Sequence, residues 1–265
     1  MTLLNKGKAL ITGASTGIGA IYANRLAKQG YDIIIVARNQ ELLEKQAYKI
    51  TQETGRLVEI LVADLITHEG MLKVEKKLAQ DKDITVLVNN AGIGGVMPLL
   101  NSDVNEMDKM ITLNITALTR LTYAVVPQFV EKAKGTIINI GSIVAIAPEI
   151  LNGVYGASKA YVLSFSHSLQ HELADKGIRI QAVLPGAIST DFWSIAGNPV
   201  ENLPQEIVMS ADDLVDAALM GLEKGELVTI PGLHEGDKWM NFENSRKEIS
   251  TLLSASTPAP RYLAR

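Results

Sequence analysis

The chain has 265 residues, 47% of them apolar and 20% charged, with a formal net charge of −4 and no cysteine. That length supports a sizeable core, the mild charge offers no basic face for nucleic acid, and the missing cysteine excludes disulfides, thiol nucleophiles and thiolate metal sites. The opening MTLLNKGKAL lacks the apolar stretch of a signal peptide, and no apolar run reaches the ~18 residues of a membrane span, so a soluble cytoplasmic protein without a membrane partner is expected.

Strand and helix patterns alternate along the sequence. Strands are predicted at 8–12, 32–36, 57–62, 86–89, 136–140, 179–184 and 227–230, with helices between them at 17–29, 39–54, 68–80, 103–133, 154–176 and 211–223. The strands are apolar throughout, as in Asp32-Ile-Ile-Ile-Val36, which fits a sheet covered on both faces. Helices between consecutive strands imply right-handed crossovers and a parallel sheet. No internal repeat or low-complexity linker interrupts the pattern, so residues 1–265 read as one α/β domain. The segment 187–209 breaks the rhythm with Gly197, Pro199 and Pro204 among apolar Phe192, Trp193, Ile195, Val200 and Leu203. A long irregular connection inside such a domain is more often functional than idle. From Ser254 the sequence is rich in proline and alanine and is expected to be loosely ordered.

Two motifs carry chemistry. After the first strand comes Gly13-Ala-Ser15-Thr16-Gly17-Ile18-Gly19, then a helix. Glycines permit a tight turn and close approach, and the free amides and dipole at the helix start attract a phosphate. The spacing is G-x-x-x-G-x-G, not the G-x-G-x-x-G dinucleotide fingerprint. Further on, Tyr155 and Lys159 are four apart on a helix and share a face. An ammonium there is expected to lower the pKa of the phenol, making it a general acid or base. Ser142, on a separate apolar run, offers a donor and acceptor for the oxygen that changes protonation. The second strand ends in Val36-Ala37-Arg38, where an acidic residue would bond the ribose hydroxyls of NAD and an arginine suits the 2′-phosphate of NADP.

Thr12-Gly-x-x-x-Gly17-x-Gly19 resembles the cofactor motif of the short-chain dehydrogenase/reductase family. Asp64, Asn89-Asn90-Ala91-Gly92, Asn114, Ser142, Tyr155 with Lys159, and Pro185-Gly186-x-x-x-Thr190 follow in the family's order, so the likeness covers about residues 6 to 192. It implies a Rossmann fold: a doubly wound parallel sheet of about seven strands with helices on both faces. It also implies carbonyl–alcohol interconversion with NADP(H), because Ala37 stands where NAD-dependent members carry aspartate. Cofactor contacts carried over by position are Gly13, Ser15, Thr16, Gly17, Ile18, Gly19, Arg38, Asp64 with Leu65, Asn90, Ala91, Gly92, Tyr155, Lys159, Pro185, Gly186, Ile188 and Thr190. The catalytic set is Asn114, Ser142, Tyr155 and Lys159, with Asn114 holding a water that links the lysine to solvent. The 187–209 segment corresponds to the substrate lid.

The resemblance also implies a homodimer or homotetramer through the 103–133 and 154–176 helices, with Val162, Leu163, Phe165 and Leu169 as contact or core residues. Many tetrameric relatives end in Asp-Gly-Gly, whereas this chain has Pro231-Gly-Leu-His-Glu-Gly236. His167 and His171, four apart, are read as solvated or interface residues, and no metal is expected. The expected substrate is a small carbonyl compound or alcohol. The alternatives are a 3-oxoacyl-carrier-protein reductase, a non-catalytic dinucleotide sensor, and a halohydrin-dehalogenase-like lyase, which would lack Lys159.

Overall fold

The computed structural model describes residues 6–263, so the opening Met1–Asn5 of the signal-peptide reading and the end of the tail, Ala264 and Arg265, lie outside the described residues. Among the described residues nine strands and nine α-helices follow in order: β1 Lys8–Thr12, α1 Gly17–Lys28, β2 Asp32–Ala37, α2 Gln40–Thr54, β3 Val58–Val62, α3 His68–Gln80 and β4 Ile84–Asn89. Then come α4 Val104–Ile111, α5 Leu118–Glu131, β5 Gly135–Ile140, α6 Gly153–Leu173 and β6 Ile178–Val183. The rest are β7 Ala187–Ser189, α7 Phe192–Ile195, β8 Val208–Ser210, α8 Ala211–Glu223, β9 Val228–Thr229 and α9 Gly236–Ser250.

Seven strands form one parallel sheet in the order β3-β2-β1-β4-β5-β6-β9. Its residues alternate between two cores. Ala9, Ile11, Ile33 and Ile35 face Tyr22, Leu26, Leu43, Leu214 and Val215 of α1, α2 and α8. Leu10, Ile34, Val36 and Leu87 face Val74, Leu78, Leu121, Val125, Phe129 and Leu169 of α3, α5 and α6. Burial on both faces explains why the strand sequences do not alternate with polar residues. Strand order reverses between β1 and β4, the switch point where open α/β sheets bind ligands beyond their carboxyl ends.

Several details differ from the sequence reading. The chain divides into two compact units, one ending at Pro231 and the other Gly232–Arg265, and the α/β domain with its seven-stranded sheet lies within the first. The second unit contains α9, which was not anticipated; within it Trp239 and Phe242 stack with centroids 5.3 Å apart. The helix 103–133 contains a π-helical stretch at Thr112–Ala117 between α4 and α5. The predicted strand at 227–230 shortens to two residues. The 187–209 segment carries its own small parallel pair, β7 and β8. Val162, Leu163 and Leu169 are buried within the chain and so belong to its core.

Helix α3 is held close to the end of β3 by Gly70: a Cβ there would lie 1.9 Å from the Asp64 carbonyl oxygen. Gly70→Ala is expected to displace α3 from that strand end and cost about 2 kcal/mol, a drop of roughly 4–8 °C in thermal midpoint. Calorimetric or circular-dichroism melting checks this, and an unchanged midpoint contradicts the packing argument.

Candidate active site

The site grows out of the switch point. Thr12, the last residue of β1, is buried, and its hydroxyl donates to Val88 O at 3.3 Å while accepting from Asn90 N and Ala91 N at 3.0 Å each. The Asn90 side chain donates to Thr12 O at 2.9 Å and Gly13 O at 3.1 Å. These bonds join the ends of β1 and β4 through one hydroxyl and one amide. The turn they stabilise needs its glycines. Gly13 has φ +65° and Gly17 φ +55°, and a Cβ on Gly19 would lie 2.3 Å from Gly13 O. Thr16 caps α1 in an extended conformation without a side-chain hydrogen bond, and among the described residues the first turn of α1 holds no acidic side chain. That leaves amides and a positive helix end free for an anion.

The expected catalytic residues Ser142, Tyr155 and Lys159 are supplied by the segment after β5 and by α6. Ser142 follows β5; its hydroxyl accepts from Val144 N at 3.3 Å and lies 3.5 Å from Pro185 O. Asn152 caps α6, its Oδ1 accepting from Val154 N at 2.9 Å and Tyr155 N at 3.3 Å, which sets Tyr155 in the first helical turn. Asn152 also donates to Met97 O at 2.7 Å and so ties the loop after β4 to this helix start. Sequence reading missed Asn152, although an asparagine just before a helical pattern is a recognisable cap signal. Lys159, one turn beyond Tyr155, is buried; its ammonium donates to Ile140 O at 2.9 Å and lies 5.7 Å from the Tyr155 ring centroid. Gly92 keeps this corner open, since a Cβ there would meet Asn114 Oδ1 at 3.1 Å and Lys159 Nζ at 3.6 Å.

Asn114 lies in the π-helical stretch, a distortion that often marks functional sites. Its Oδ1 accepts from Ile93 N at 3.0 Å, and its Nδ2 donates to Ile93 O at 2.9 Å and Ser158 Oγ at 3.1 Å. The amide thus clamps the loop after β4 to α6, a structural task that the family likeness did not imply.

Electrostatics correct one expectation. Burial pushes the Tyr155 phenol up to about 12, with the Ser142 hydroxyl opposing the shift. Burial holds Lys159 down to about 8. Among the protein's own groups desolvation is the largest effect on the phenol, which is raised where lowering was expected.

A cavity of about 530 Å³ brings together Thr16, Gly17, Ile18, Asn90, Gly92, Ser142, Tyr155, Lys159, Pro185, Gly186, Ile188 and Thr190. Its remaining walls are mainly apolar and include Val96, Val144, Leu151, Phe192 and Trp193. Gly94, Val96, Val144 and Leu151 were absent from the sequence reading, since single residues in irregular segments give no periodic signal, and Ile140 was read only as the end of a strand. The other carried-over residues lie outside the cavity wall. Gly13, Ser15, Gly19 and Ala91 build the turn and its support. Arg38 is exposed at the end of β2 and pairs with no carboxylate among the described residues. Asp64, half-buried past β3, accepts from Ile66 N at 3.0 Å, and the Leu65 side chain is buried in the core.

The family model described as short chain dehydrogenase matches residues 7–198, and the chain belongs to that family. Among solved structures it is similar to a short-chain dehydrogenase from Sphingobium yanoikuyae in complex with NADPH, 44% identical over 97% of this chain and 100% of that one, with a TM-score of 0.93. A bulky-bulky ketone specific alcohol dehydrogenase from Comamonas testosteroni is 40% identical over 97% of this chain and 99% of its own, with a TM-score of 0.90. The very-long-chain 3-oxoacyl-CoA reductase of Anas platyrhynchos is 37% identical over 192 residues, 71% of this chain and 62% of that protein. The chain therefore spans less than two thirds of the length of that curated relative.

The lysine prediction has a definite sign. The folded pKa of Lys159 lies below its ordinary value of 10.5, so the buried charge costs stability in full below about pH 8. Above that the folded chain releases the proton first and the cost is relieved. Comparing Lys159→Met with wild type from pH 7 to pH 10, relative stability should move toward wild type by roughly 2–3 kcal/mol. Denaturant melts at several pH values measure it; a pH-independent difference contradicts the buried-ammonium assignment.

Proposed function

We propose that the protein is an NADP(H)-dependent oxidoreductase that interconverts an apolar ketone and a secondary alcohol, with Tyr155 as general acid and base. The observation that carries this reading is the shared cavity: Ser142, Tyr155 and Lys159 line it together with Gly17 and Thr190, and apolar side chains close the remainder.

The residues fit a dinucleotide. Gly13 and Gly19 let the turn pack tightly against Asn90 and Ala91, where any Cβ would clash, the amides at the start of α1 are left open for an anion, and the exposed Arg38 is placed to meet a 2′-phosphate. The neighbour from Sphingobium yanoikuyae carries NADPH. When bound, the nicotinamide supplies hydride chemistry; the protein orients the reactants and handles the proton. Thr16, Gly17 and Ile18 would hold the phosphates, Asp64 and Leu65 the adenine end, and Asn90, Ala91, Gly92, Pro185, Gly186, Ile188 and Thr190 the nicotinamide end. Ser142 holds the substrate oxygen by hydrogen bonding. Tyr155, whose phenol is protonated at neutral pH with or without the upward shift that burial causes, protonates that oxygen as it becomes an alkoxide. Lys159 orients the nicotinamide ribose and steadies the tyrosine as its proton leaves, and Asn114 keeps the loop beneath them in place.

A phenol held protonated favours carbonyl reduction near neutral pH, and alcohol oxidation should climb as pH rises and the phenolate becomes accessible. The 187–209 segment acts as a lid whose apolar face selects the substrate. A homo-oligomer formed through α5 and α6 belongs to the same reading, supported by exposed Tyr123 on α5 and the exposed small residues Ala157, Ser164 and Ser168 on α6.

Three tests separate the parts of this reading. Tyr155→Phe should reduce ketone turnover by at least about 10³-fold, a loss consistent with removal of a general acid, while NADPH affinity measured by fluorescence titration stays within a few-fold. Substantial residual turnover rejects the tyrosine as proton donor. The double variant Ala37→Asp with Arg38→Ser should shift the NADPH:NADH ratio of kcat/KM toward NADH by about two orders of magnitude, the effect of exchanging a charge-assisted contact for repulsion. An unchanged ratio removes Arg38 from phosphate recognition. A 340 nm assay on aryl ketones and 3-oxoacyl thioesters distinguishes a ketone reductase from an acyl-thioester reductase.

A further inference from the structure

Among the apolar side chains of the cavity, Phe192 sets an aromatic ring against Tyr155. Ile150, Ile195 and Ile207 are 56%, 77% and 58% exposed and belong to the rim, whereas Phe192 is half-buried and reaches Tyr155. Its ring centroid lies 5.8 Å from that of Tyr155 at an interplanar angle of 44°. Trp193 braces it from the side with centroids 5.7 Å apart at 88°, and the Trp193 indole is anchored by its Nε1–H donating to Ile188 O at 3.0 Å. The Phe192 carbonyl accepts from Ala196 N at 2.8 Å, which fixes the start of α7. The ring also packs in a small cluster with Met110, Val144 and Tyr155.

What admits the ring to this place is a missing side chain on the facing loop. A Cβ on Gly94 would lie 2.2 Å from Phe192 Cζ, 2.7 Å from Cε2 and 3.2 Å from Cε1. The tip of the ring therefore rests on the Gly94 backbone, and any other residue at 94 would evict it. Gly94 has no positive φ that would require glycine, so the constraint on a side chain here is the overlap of its Cβ with the Phe192 ring. Both residues line the cavity that holds Ser142 and Tyr155.

We propose that Phe192, seated in the notch at Gly94, sets the upper size of the substrate group that lies against Tyr155, so that the pair acts as a specificity gate for one arm of the ketone. The gate rests on the reading of the cavity as a ketone site. It occupies space beside the reacting oxygen, where one or two methylenes decide whether a substrate arm fits. A hydrophobic pocket discriminates by about 10–200-fold per methylene.

The test compares wild type, Phe192→Ala, Phe192→Leu, Gly94→Ala and the double variant Gly94→Ala/Phe192→Ala. Two ketones, acetophenone and butyrophenone, differ by two methylenes in one arm. Phe192→Ala should raise the butyrophenone:acetophenone ratio of kcat/KM by at least ~10-fold, with Phe192→Leu intermediate. Gly94→Ala should disturb the enzyme in the presence of Phe192 and be nearly silent once the ring is gone, a coupling that a double-mutant cycle reads directly. A parallel measurement does not depend on turnover: calorimetric titration of the non-reducible amides benzamide and N,N-diethylbenzamide, whose relative affinity should shift toward the larger amide in Phe192→Ala. Active wild type with an unchanged ketone ratio in Phe192→Ala overturns the gate, as does an additive effect of Gly94→Ala. If wild type reduces no ketone yet the amide preference shifts, the gate stands and the reductase reading falls. If wild type reduces no ketone and the amide preference is unmoved, the gate is overturned as well.

Discussion

A buried ammonium with a main-chain carbonyl as its hydrogen-bond partner sets the conditions for the rest of the site. Lys159 is 7% exposed and its Nζ is 2.9 Å from Ile140 O. Removing such a charge from water costs several kcal/mol unless its donors are satisfied, so the surrounding structure must hold the carbonyl and the helix in fixed relation. It does so from both sides. Ile140 ends β5, which is paired along its length with β4 and β6. On the other side, Asn152 caps α6 and Asn114 ties Ser158 of that helix to Ile93. A residue that the fold penalises is thus retained by a fold that is rigid around it. Functional sites commonly show such a trade of stability for chemistry.

The polar half of the site follows a similar economy of groups. One hydroxyl, that of Thr12, meets three backbone groups from β4 and the residues after it, and one amide, that of Asn90, meets two carbonyls of the β1 turn. These bonds satisfy the strand ends where the sheet order reverses, which would otherwise be buried and unpaired. Because the turn is secured from β4, the amides at the start of α1 are left for an anion. Threonine-glycine at the end of the first strand and Asn90 just after the fourth are therefore two parts of one construction, far apart in sequence and adjacent in space.

This pairing also shows why the sequence was informative about some features and silent about others. Strand and helix positions were legible because a doubly covered parallel sheet demands continuous apolar strands, and Asp32–Ala37 or Gly135–Ile140 could hardly be read otherwise. The turn at 13–19 and the Tyr155–Lys159 face were legible because backbone geometry dictates the residue types. Helix α9 was not, since GDKWMNFENSRKEIS lacks a sustained apolar stripe and none of its residues is buried. The π-helical stretch around Asn114 has no sequence period of its own. The direction of the tyrosine shift was misjudged because the i, i+4 spacing reports proximity and says nothing of solvent exclusion; burial of both groups proved the larger effect. The Phe192–Gly94 contact required three-dimensional placement, because residues 98 positions apart in an irregular segment and a loop share no local pattern.

Desolvation acts in opposite directions on the two neighbours, and this inverts their usual relation. In water a phenol and an ammonium titrate within about half a unit of each other. In the cavity the phenol rises to about 12 and the ammonium falls to about 8. At neutral pH both still carry their protons, but they hold them with very different tenacity. A neutral phenol with a raised pKa is a poor base and remains a competent donor toward an alkoxide, whose proton affinity is greater still. The nearby cation is of little help to the resting phenol and of most help once the proton has left, when it faces a phenolate in a medium of low dielectric. A dry wall of Phe192, Val144 and Leu151 therefore does more than accommodate an apolar substrate. Under the mechanism proposed above, that apolar wall would reserve the ammonium's stabilisation for proton transfer, which is where an interaction raises a rate and does not merely tighten binding.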